Sequence, residues 1–456
     1  MTAMSVSGWI GLAGALLLLM ALSSAYLKRL PVTAAVIYLG VGIAVSPTGF
    51  DLLDIDFIRQ SAVLEHLTEI AVIISLFMGG LKMRLPLRHP AWSPALRLAG
   101  PVMLVSIAGV ALFAHGVFGL AWPAAVLLGA ILAPTDPVLA GMVTVNDASD
   151  EDPVRYGLSG EAGFNDGAAF PFVIFALMWM GNPDVGAWAG GWALHRLVWA
   201  VPAGIGIGWV MGKAVGWLAI RLRSRHQETE APNDLLALAL IALSYTVAEA
   251  AGSWGFLAAF TAGIGFRRAE IKTVEKHPVL EPDQIEEPHE TMLTAHPPAE
   301  ETVGSGVEEE ELTHPSKAAG VVIGEIITFG GTAERLLEAM MVMLVGICLS
   351  AHWDWRGAAL AAVLFILIRP LGSLILLAGT PASMPQRALM GWFGIRGIGS
   401  LYYLCYSFNH GLNFRQKEMA GITITVVALS IVIHGVSGQP VLDWYRRTPR
   451  KEAGGS

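Results

Sequence analysis

Apolar stretches long enough to cross a lipid bilayer recur along almost the whole chain. A helix needs about 20 predominantly apolar residues to span roughly 30 Å of hydrocarbon, and the sequence offers thirteen candidates. These candidates, called predicted helices 1 to 13, are residues 7–27, 33–50, 67–83, 97–119, 121–145, 154–180, 197–220, 233–251, 255–267, 332–350, 357–379, 387–409 and 417–439. We therefore predict an all-α polytopic membrane protein with about thirteen transmembrane helices.

The composition excludes most water-soluble functions. Of the 456 residues, 54% are hydrophobic and only 14% are charged. Soluble enzymes, nucleic-acid-binding proteins and disordered scaffolds need far more charged surface than this, so we predict a lipid-embedded protein with no nucleic-acid partner. No basic residue precedes predicted helix 1, which we interpret as a spanning helix rather than a cleaved signal peptide.

Basic residues cluster after the odd-numbered predicted helices and are scarce after the even-numbered ones. This alternation is expected when lysine and arginine collect on the cytoplasmic side of a membrane. It predicts an external N-terminus and a cytoplasmic C-terminus. The residues after odd-numbered helices are Lys28, Arg29, Lys82, Arg84, Arg88, Arg155, Arg221, Arg223, Arg225, Arg267, Arg268, Arg387, Arg446, Arg447 and Arg450.

One segment, residues 269–318, has a different composition from the rest. It carries 13 acidic residues against three lysines, so a net charge of -10 lies in this segment of a chain whose total is -8. Such a segment buries too little apolar surface to offset its chain entropy. We predict a disordered cytoplasmic loop that separates membrane helices 1–9 (1–268) from helices 10–13 (319–440), with a short tail at 441–456. A flexible linker is the simpler interpretation, and a pH-sensing or partner-binding loop is the alternative.

Six charged side chains stand out within otherwise apolar predicted membrane helices. A charge at the bilayer centre costs roughly 2.5 to 3.5 kcal/mol or more, so it persists when it is paired or when it lines an ion path. Four acids and two bases together favour a proton or cation pathway. They are Glu69, Asp136, Glu161, Asp166, Arg369 and Arg396.

Two predicted helices contain helix-breaking residues beside a charge. In helix 5, Pro134 and Pro137 bracket Thr135 and Asp136, so this helix should be interrupted at its middle. In helix 12, Arg396 lies within a glycine-rich run at 394–399. Paired broken helices in corresponding halves are typical of secondary transporters built from inverted repeats. We therefore predict inverted repeats with helix 5 and helix 12 discontinuous.

Predicted helix 6 separates two kinds of polar residue on its surface. Glu161 and Asn165 are four residues apart and share one face, whereas Asp166 lies about 100° further round. Glu161 can pair with an arginine of a neighbouring helix, and Asp166 can then face a wet cavity beside Asp136. A single unpaired carboxylate in such a cavity can hold either a proton or a cation, and that competition is the chemistry of exchange.

At these residues the sequence resembles the sodium/proton exchangers, specifically the bacterial NhaP-type branch of the monovalent cation:proton antiporters. The resemblance rests on Thr135 to Val138 in helix 5, Gly160-Glu161 and Asn165 to Gly167 in helix 6, and Gly394 with Arg396-Gly397 in helix 12. It covers about residues 7–440. It implies a secondary transporter without a cofactor, not an enzyme, that resides as a multi-pass protein and homodimer in the bacterial plasma membrane.

The resemblance also assigns expected roles to individual residues. Asp166 matches the carboxylate that alternately binds cation and proton, Asp136 assists it, and Thr135 supplies a ligand. Glu161 and Arg396 match a structural ion pair supported by Asn165, and Arg369 is the rival partner; Glu69 and Arg369 are possible secondary site residues. Ala162 stands where the family usually has serine.

The expected substrates are H⁺ and Na⁺, with Li⁺ or K⁺ as alternatives. Asn165 occupies the place of a second carboxylate beside Asp166, which predicts electroneutral exchange of one cation per proton by alternating access. A cation channel is a competing interpretation, although the chain lacks a filter-like loop. An intramembrane serine protease is a more remote one, suggested by the Gly157-Leu158-Ser159-Gly160 motif.

Overall fold

The computed structural model describes residues 32–447, except 138, 146–147, 151, 227–231, 279–296 and 304–311, together with seven positions between 11 and 21. Within these residues the chain is helical and has no β-strand, which confirms the all-α prediction. The thirteen α-helices are α1 Ala34–Val45, α2 Ser61–Lys82, α3 Trp92–Phe118, α4 Trp122–Leu132, α5 Pro153–Gly181, α6 Val185–Arg225, α7 Asn233–Ala250, α8 Gly255–Lys276, α9 Pro315–His352, α10 Trp355–Leu376, α11 Met384–Trp392, α12 Ile398–Asn409 and α13 Gln416–Arg447.

Most of these helices coincide with a predicted membrane helix. Eight of them are long and apolar enough to cross a membrane, and α1 and α4 are shorter apolar helices. Predicted helix 1 (7–27) lies largely outside the described residues. Predicted helix 9 is longer than expected, because α8 continues to Lys276.

Ordered structure extends into the predicted acidic loop from both sides. Helix α8 continues eight residues beyond Arg268, and α9 begins at Pro315 as one helix of 38 residues. A short 3-10 turn, Ala299–Thr302, lies between them. The division of the chain into two membrane segments and a loop stays a prediction.

The prolines of predicted helix 5 coincide with its early end. Helix α4 ends at Leu132 instead of continuing to residue 145, and the described residues that follow up to 145 are not helical. Predicted helix 12 corresponds to two short helices, α11 and α12, separated by the non-helical residues Phe393–Gly397. The inverted-repeat relationship between the two regions stays a prediction.

Glycines let the helices of the bundle approach closely. Gly208 and Gly212, four residues apart on α6, face backbone carbonyls of α8, and a Cβ added at either would lie 2.1 or 2.0 Å from the oxygen of Ala258 or Ala262. On a neighbouring face of α8, an added Cβ at Gly263 would lie 2.2 Å from the carbonyl oxygen of Phe77 on α2. Small residues at this spacing permit close packing of membrane helices, so α2, α8 and α6 form one tightly packed layer.

Candidate functional site

The two non-helical segments that follow α4 and α11 hydrogen-bond to each other through Asp136. The backbone amide of Asp136 donates to the carbonyl of Ile395 at 2.8 Å. Its carboxylate accepts hydrogen bonds from the amide of Leu139, at 3.0 Å, and from the amide of Ile398, the first residue of α12. Because the amides at the start of a helix have no partners within it, the buried Asp136 carboxylate caps α12.

Arg396 lies in the same crossing and binds the end of α4. One terminal guanidinium nitrogen donates to the carbonyls of Ala133 and Pro134, the latter at 2.9 Å, and the backbone amide of Arg396 donates to the Ser430 hydroxyl at 2.8 Å. The last carbonyls of a helix lack intrahelical donors and carry partial negative charge. The fully buried Arg396 side chain therefore satisfies the carbonyls at the C-terminal end of α4.

The expected ion pair between Glu161 and Arg396 is wrong, because Glu161 pairs with Arg369. Both carboxylate oxygens accept from the two terminal nitrogens of Arg369, one of them at 2.6 Å, and both side chains are buried. The same guanidinium donates to the carbonyl of Met390 at 3.1 Å. Two parallel bonds between a guanidinium and a carboxylate make the strong, geometrically specific form of ion pair.

Local backbone features place Arg369 at this point. A π turn at Leu364–Ile368 directly precedes it in α10, and Pro370 directly follows it. Gly394, in the non-helical segment, leaves room for the guanidinium, since an added Cβ there would lie only 2.8 Å from Nε of Arg369. Gly394, two residues before Arg396 in the sequence, thus accommodates Arg369.

Asn165 joins α5 to the turn that contains Thr135. Its side-chain nitrogen donates to the Thr135 hydroxyl oxygen at 2.8 Å. Its side-chain oxygen is buried without a hydrogen-bond partner among the described residues. The shared helix face predicted that Asn165 supports the Glu161 ion pair, but Asn165 makes no hydrogen bond to that pair among the described residues. It instead presents an unsatisfied oxygen close to Thr135.

Asp166 is the buried acid whose charge the surrounding side chains do not neutralise. Its side chain is almost completely buried, and neither carboxylate oxygen has a hydrogen-bond partner among the described residues. An added Cβ at Gly399 on α12 would lie 2.7 Å from Oδ1 of Asp166, so α12 packs directly against the carboxylate. Asp136 is near enough to act on Asp166 electrostatically. Asp136, Asp166, Thr135 and Asn165 therefore form one site, here called the acid site.

Glu69, a possible secondary residue, makes different contacts. It accepts a hydrogen bond from the Tyr245 hydroxyl of α7, and Nδ1 of His66 lies 3.5 Å from its other oxygen. The Glu69 side chain is 23% exposed. The structure thus pairs Glu69 with Tyr245 and His66 rather than with the residues that surround Asp166.

Two further acids near the acid site escaped the sequence reasoning. Glu334 and Glu338 lie four residues apart on α9, which places them on one face. Glu338 is near enough to Asp136 for their charges to interact, and Glu334 pairs with Lys82 at 3.0 Å. Both acids fall within predicted helix 10, so the criterion that selected Glu69 could have found them.

A family model supports one assignment for most of the chain. The model described as "Sodium/hydrogen exchanger, transmembrane" matches residues 14–284 and 318–444. The interval between the two matched parts falls within the predicted acidic loop. The matched parts contain every residue of the acid site, Arg369 and Arg396.

Characterised relatives align with parts of the chain. The Na(+)/H(+) antiporter 2 of Zygosaccharomyces rouxii is 30% identical over 43% of this chain and 25% of its own length. The Na(+)/H(+) antiporter ApNhaP of Aphanothece halophytica is 27% identical over 53% of this chain and 43% of its own. The K(+)/H(+) antiporter NhaP of Alkalimonas amylolytica is 24% identical over 84% of this chain and 58% of its own. The chain therefore spans between a quarter and just over half of these relatives.

The fold also matches a solved structure. The sodium proton antiporter MjNhaP1 from Methanocaldococcus jannaschii, at pH 8, superposes with a TM-score of 0.62 over 95% of this chain and 97% of its own, at 17% identity. At that identity the match concerns the fold alone. The family model, which covers well over half of the residues, goes further: this multi-span membrane protein belongs to the sodium/hydrogen exchanger family.

Proposed function

We propose that the protein is a secondary antiporter that exchanges Na⁺, with Li⁺ and K⁺ as alternative substrates, for H⁺. The observation that carries the proposal is the Asp166 carboxylate, which is buried without a hydrogen-bond partner among the described residues. An ionised carboxylate cannot remain uncompensated in a low-dielectric site. Either a proton or a bound cation can compensate it, so Asp166 is the group that would hold each in turn.

Oxygen atoms near Asp166 suit a small hard cation. Alkali cations, like other hard cations, favour oxygen ligands. The unpartnered side-chain oxygen of Asn165 and the hydroxyl of Thr135 are available beside the two aspartates. Ser400, which follows Gly399 at the Asp166 contact, also has a buried hydroxyl without a partner in the described part of the chain. In this proposal Thr135 is a ligand and Asp136 assists by its charge while it caps α12.

The substrate assignment is tested with the protein in everted membrane vesicles that hold a pH gradient. We expect NaCl to dissipate the gradient, measured as dequenching of a pH-sensitive dye, because Na⁺ enters the acid site as H⁺ leaves it. LiCl and KCl, added in turn, rank the alternative cations, and choline chloride is the control. Vesicles with the protein that respond to none of the three alkali chlorides would contradict the proposed function.

Exchange is expected to be electroneutral, with one cation per proton. Asp166 supplies the exchangeable charge, because Arg369 neutralises Glu161 and Asn165 is uncharged where a second acid could stand. The measurement is Na⁺ uptake into proteoliposomes under a potential imposed with potassium and valinomycin, at equal pH on both sides. We expect the potential alone to produce no Na⁺ accumulation. Accumulation driven by the potential would instead indicate unequal numbers of protons and cations.

Alternating access completes the proposed mechanism. The acid site lies where the segments after α4 and α11 cross, and movement of these elements against the α2, α8 and α6 layer would expose Asp166 to one side and then the other. We propose a homodimer in the bacterial plasma membrane, with the N-terminus external and the C-terminus cytoplasmic. Reporter fusions at the two termini test this orientation.

A further inference from the structure

An ion pair outside the acid site borders a small cavity. Nζ of Lys82, the last residue of α2, lies 3.0 Å from Oε2 of Glu334 on α9, and each side chain is only 16% exposed. Both side chains line a cavity of about 20 Å³, which is room for roughly one water molecule. An ammonium and a carboxylate so placed set the electrostatic potential inside that cavity.

The cavity borders the face of α5 that also carries Asp166. On α5 it is lined by Ser159 and Gly163, and Asp166 is the next residue on that helix face, at the i, i+4, i+7 spacing. On α2 its lining residues include Ser75 and Lys82, which are seven residues apart and share a face by the same spacing.

The lining also includes residues next to Asp136. Pro137, which directly follows Asp136, borders the cavity. The cavity therefore adjoins both the Lys82–Glu334 ion pair and the segments that carry the two aspartates of the acid site. Lys82 ends α2 at the membrane face that the basic residues predict to be cytoplasmic. The ion pair therefore lies at the predicted cytoplasmic end of the cavity.

Helix α9 extends the row of charges toward the acid site. Glu338 is one turn along α9 from Glu334, and its charge interacts with those of both Glu334 and Asp136. A cation that moves from Glu334 past Glu338 to Asp136 would thus remain near a carboxylate throughout. The Lys82 ammonium is the positive charge at the start of this path.

We propose that Lys82 and Glu334 control cation access to the acid site: their ion pair closes the predicted cytoplasmic entrance and separates when a cation enters. Glu334 then attracts the incoming cation. Once the cation has passed, Glu334 pairs with Lys82 again and the entrance closes. This inference rests on the proposed function. The two residues are positioning residues at the entrance, and they do not bind the ion together with Asp166.

The test measures initial exchange rates against Na⁺ concentration in proteoliposomes, for the wild type, Lys82→Gln, Glu334→Gln and the double variant. Lys82→Gln leaves a negative charge at the entrance and is expected to lower the KM for Na⁺. Glu334→Gln leaves the ammonium and is expected to raise it, each by about threefold to tenfold. The KM of the double variant should return close to that of the wild type, and kcat should change little in all three.

A purely structural ion pair predicts a different pattern, in which both single variants lose folded protein and transport rate and the KM for Na⁺ is unchanged. If a single variant fails to fold, the charge-reversed pair Lys82→Glu with Glu334→Lys and the conservative Lys82→Arg restore an ion pair, and Lys82→Arg should keep the wild-type KM. KM values that are unchanged, or that shift in the same direction in both single variants, would overturn the inference.

A second ion pair that involves α9, the helix of Glu334, serves as the control. Arg223 of α6 pairs with Glu325 of α9 at 3.1 Å, and neither residue lines the cavity. Arg223→Gln and Glu325→Gln should leave the KM for Na⁺ unchanged; equal shifts would point to overall charge and overturn the proposal. Suppose that the wild type exchanges, that Asp166→Asn does not, and that the Lys82 and Glu334 variants keep the wild-type KM. This result would refute the proposed role of the ion pair and leave the proposed function intact. Absence of wild-type exchange would refute the proposed function itself.

Discussion

Replacing Asp166 by asparagine is expected to reduce exchange to the level of vesicles that lack the protein, while the variant still folds and inserts. An amide can neither release a proton at the acid site nor neutralise a bound cation. Because the Asp166 carboxylate makes no hydrogen bond to the described residues, its replacement breaks no side-chain hydrogen bond there, and the buried charge is removed rather than stranded. Dye dequenching at saturating NaCl measures the loss, and gel filtration in detergent measures folding.

Two related variants sharpen this test. Asp443→Asn, at a partly exposed acid of α13, is the matched control and should exchange as the wild type does. Asp136→Asn should weaken exchange severely and also lower thermal stability, because an amide nitrogen in place of one oxygen faces the amide of Leu139 or Ile398 and leaves it unpaired. Wild-type exchange by Asp166→Asn would refute Asp166 as the exchanging group.

The second large effect is expected at the ion pair of Glu161 and Arg369. Both side chains are buried and joined by two hydrogen bonds. Removing one partner of such a pair typically costs about 3 to 5 kcal/mol, since the other charge stays in a low-dielectric site, whereas removing both can be much milder. Glu161→Gln and Arg369→Gln should each lower the melting temperature in detergent, and the double variant should recover part of the loss.

Arg396 supplies the control for this double-mutant cycle. Its guanidinium donates to the carbonyls of Ala133 and Pro134, so Arg396→Gln should also destabilise the fold. Its coupling to Glu161→Gln should be clearly weaker than the coupling between Glu161 and Arg369, which should reach at least about 1 kcal/mol. Coupling of Glu161 to Arg396 with additivity to Arg369 would contradict the observed pairing.

The sequence by itself determined the features that depend on neighbouring residues along the chain. Hydrophobic length is a local property, so the apolar stretches predicted twelve membrane segments that the structure contains in all or in part. Pro134 and the glycines around Arg396 likewise act on their own backbone, and regular helix is absent at both places. The cost of burying charge also made Asp136, Glu161, Asp166 and the two arginines recognisable.

Only the tertiary structure decided which of these groups meet. Helical periodicity shows that Glu161 and Asp166 face different directions, but it contains no distance to α10 or to the segment before α12. Arg369 and Arg396 are both buried cations late in the chain. Only the packing decides that Arg369 pairs with Glu161 and that Arg396 binds the carbonyls at the end of α4. The same reason hid the cap that Asp136 provides for α12 and the ion pair of Lys82 with Glu334. These contacts join residues more than 200 positions apart, where no local pattern relates one side chain to the other.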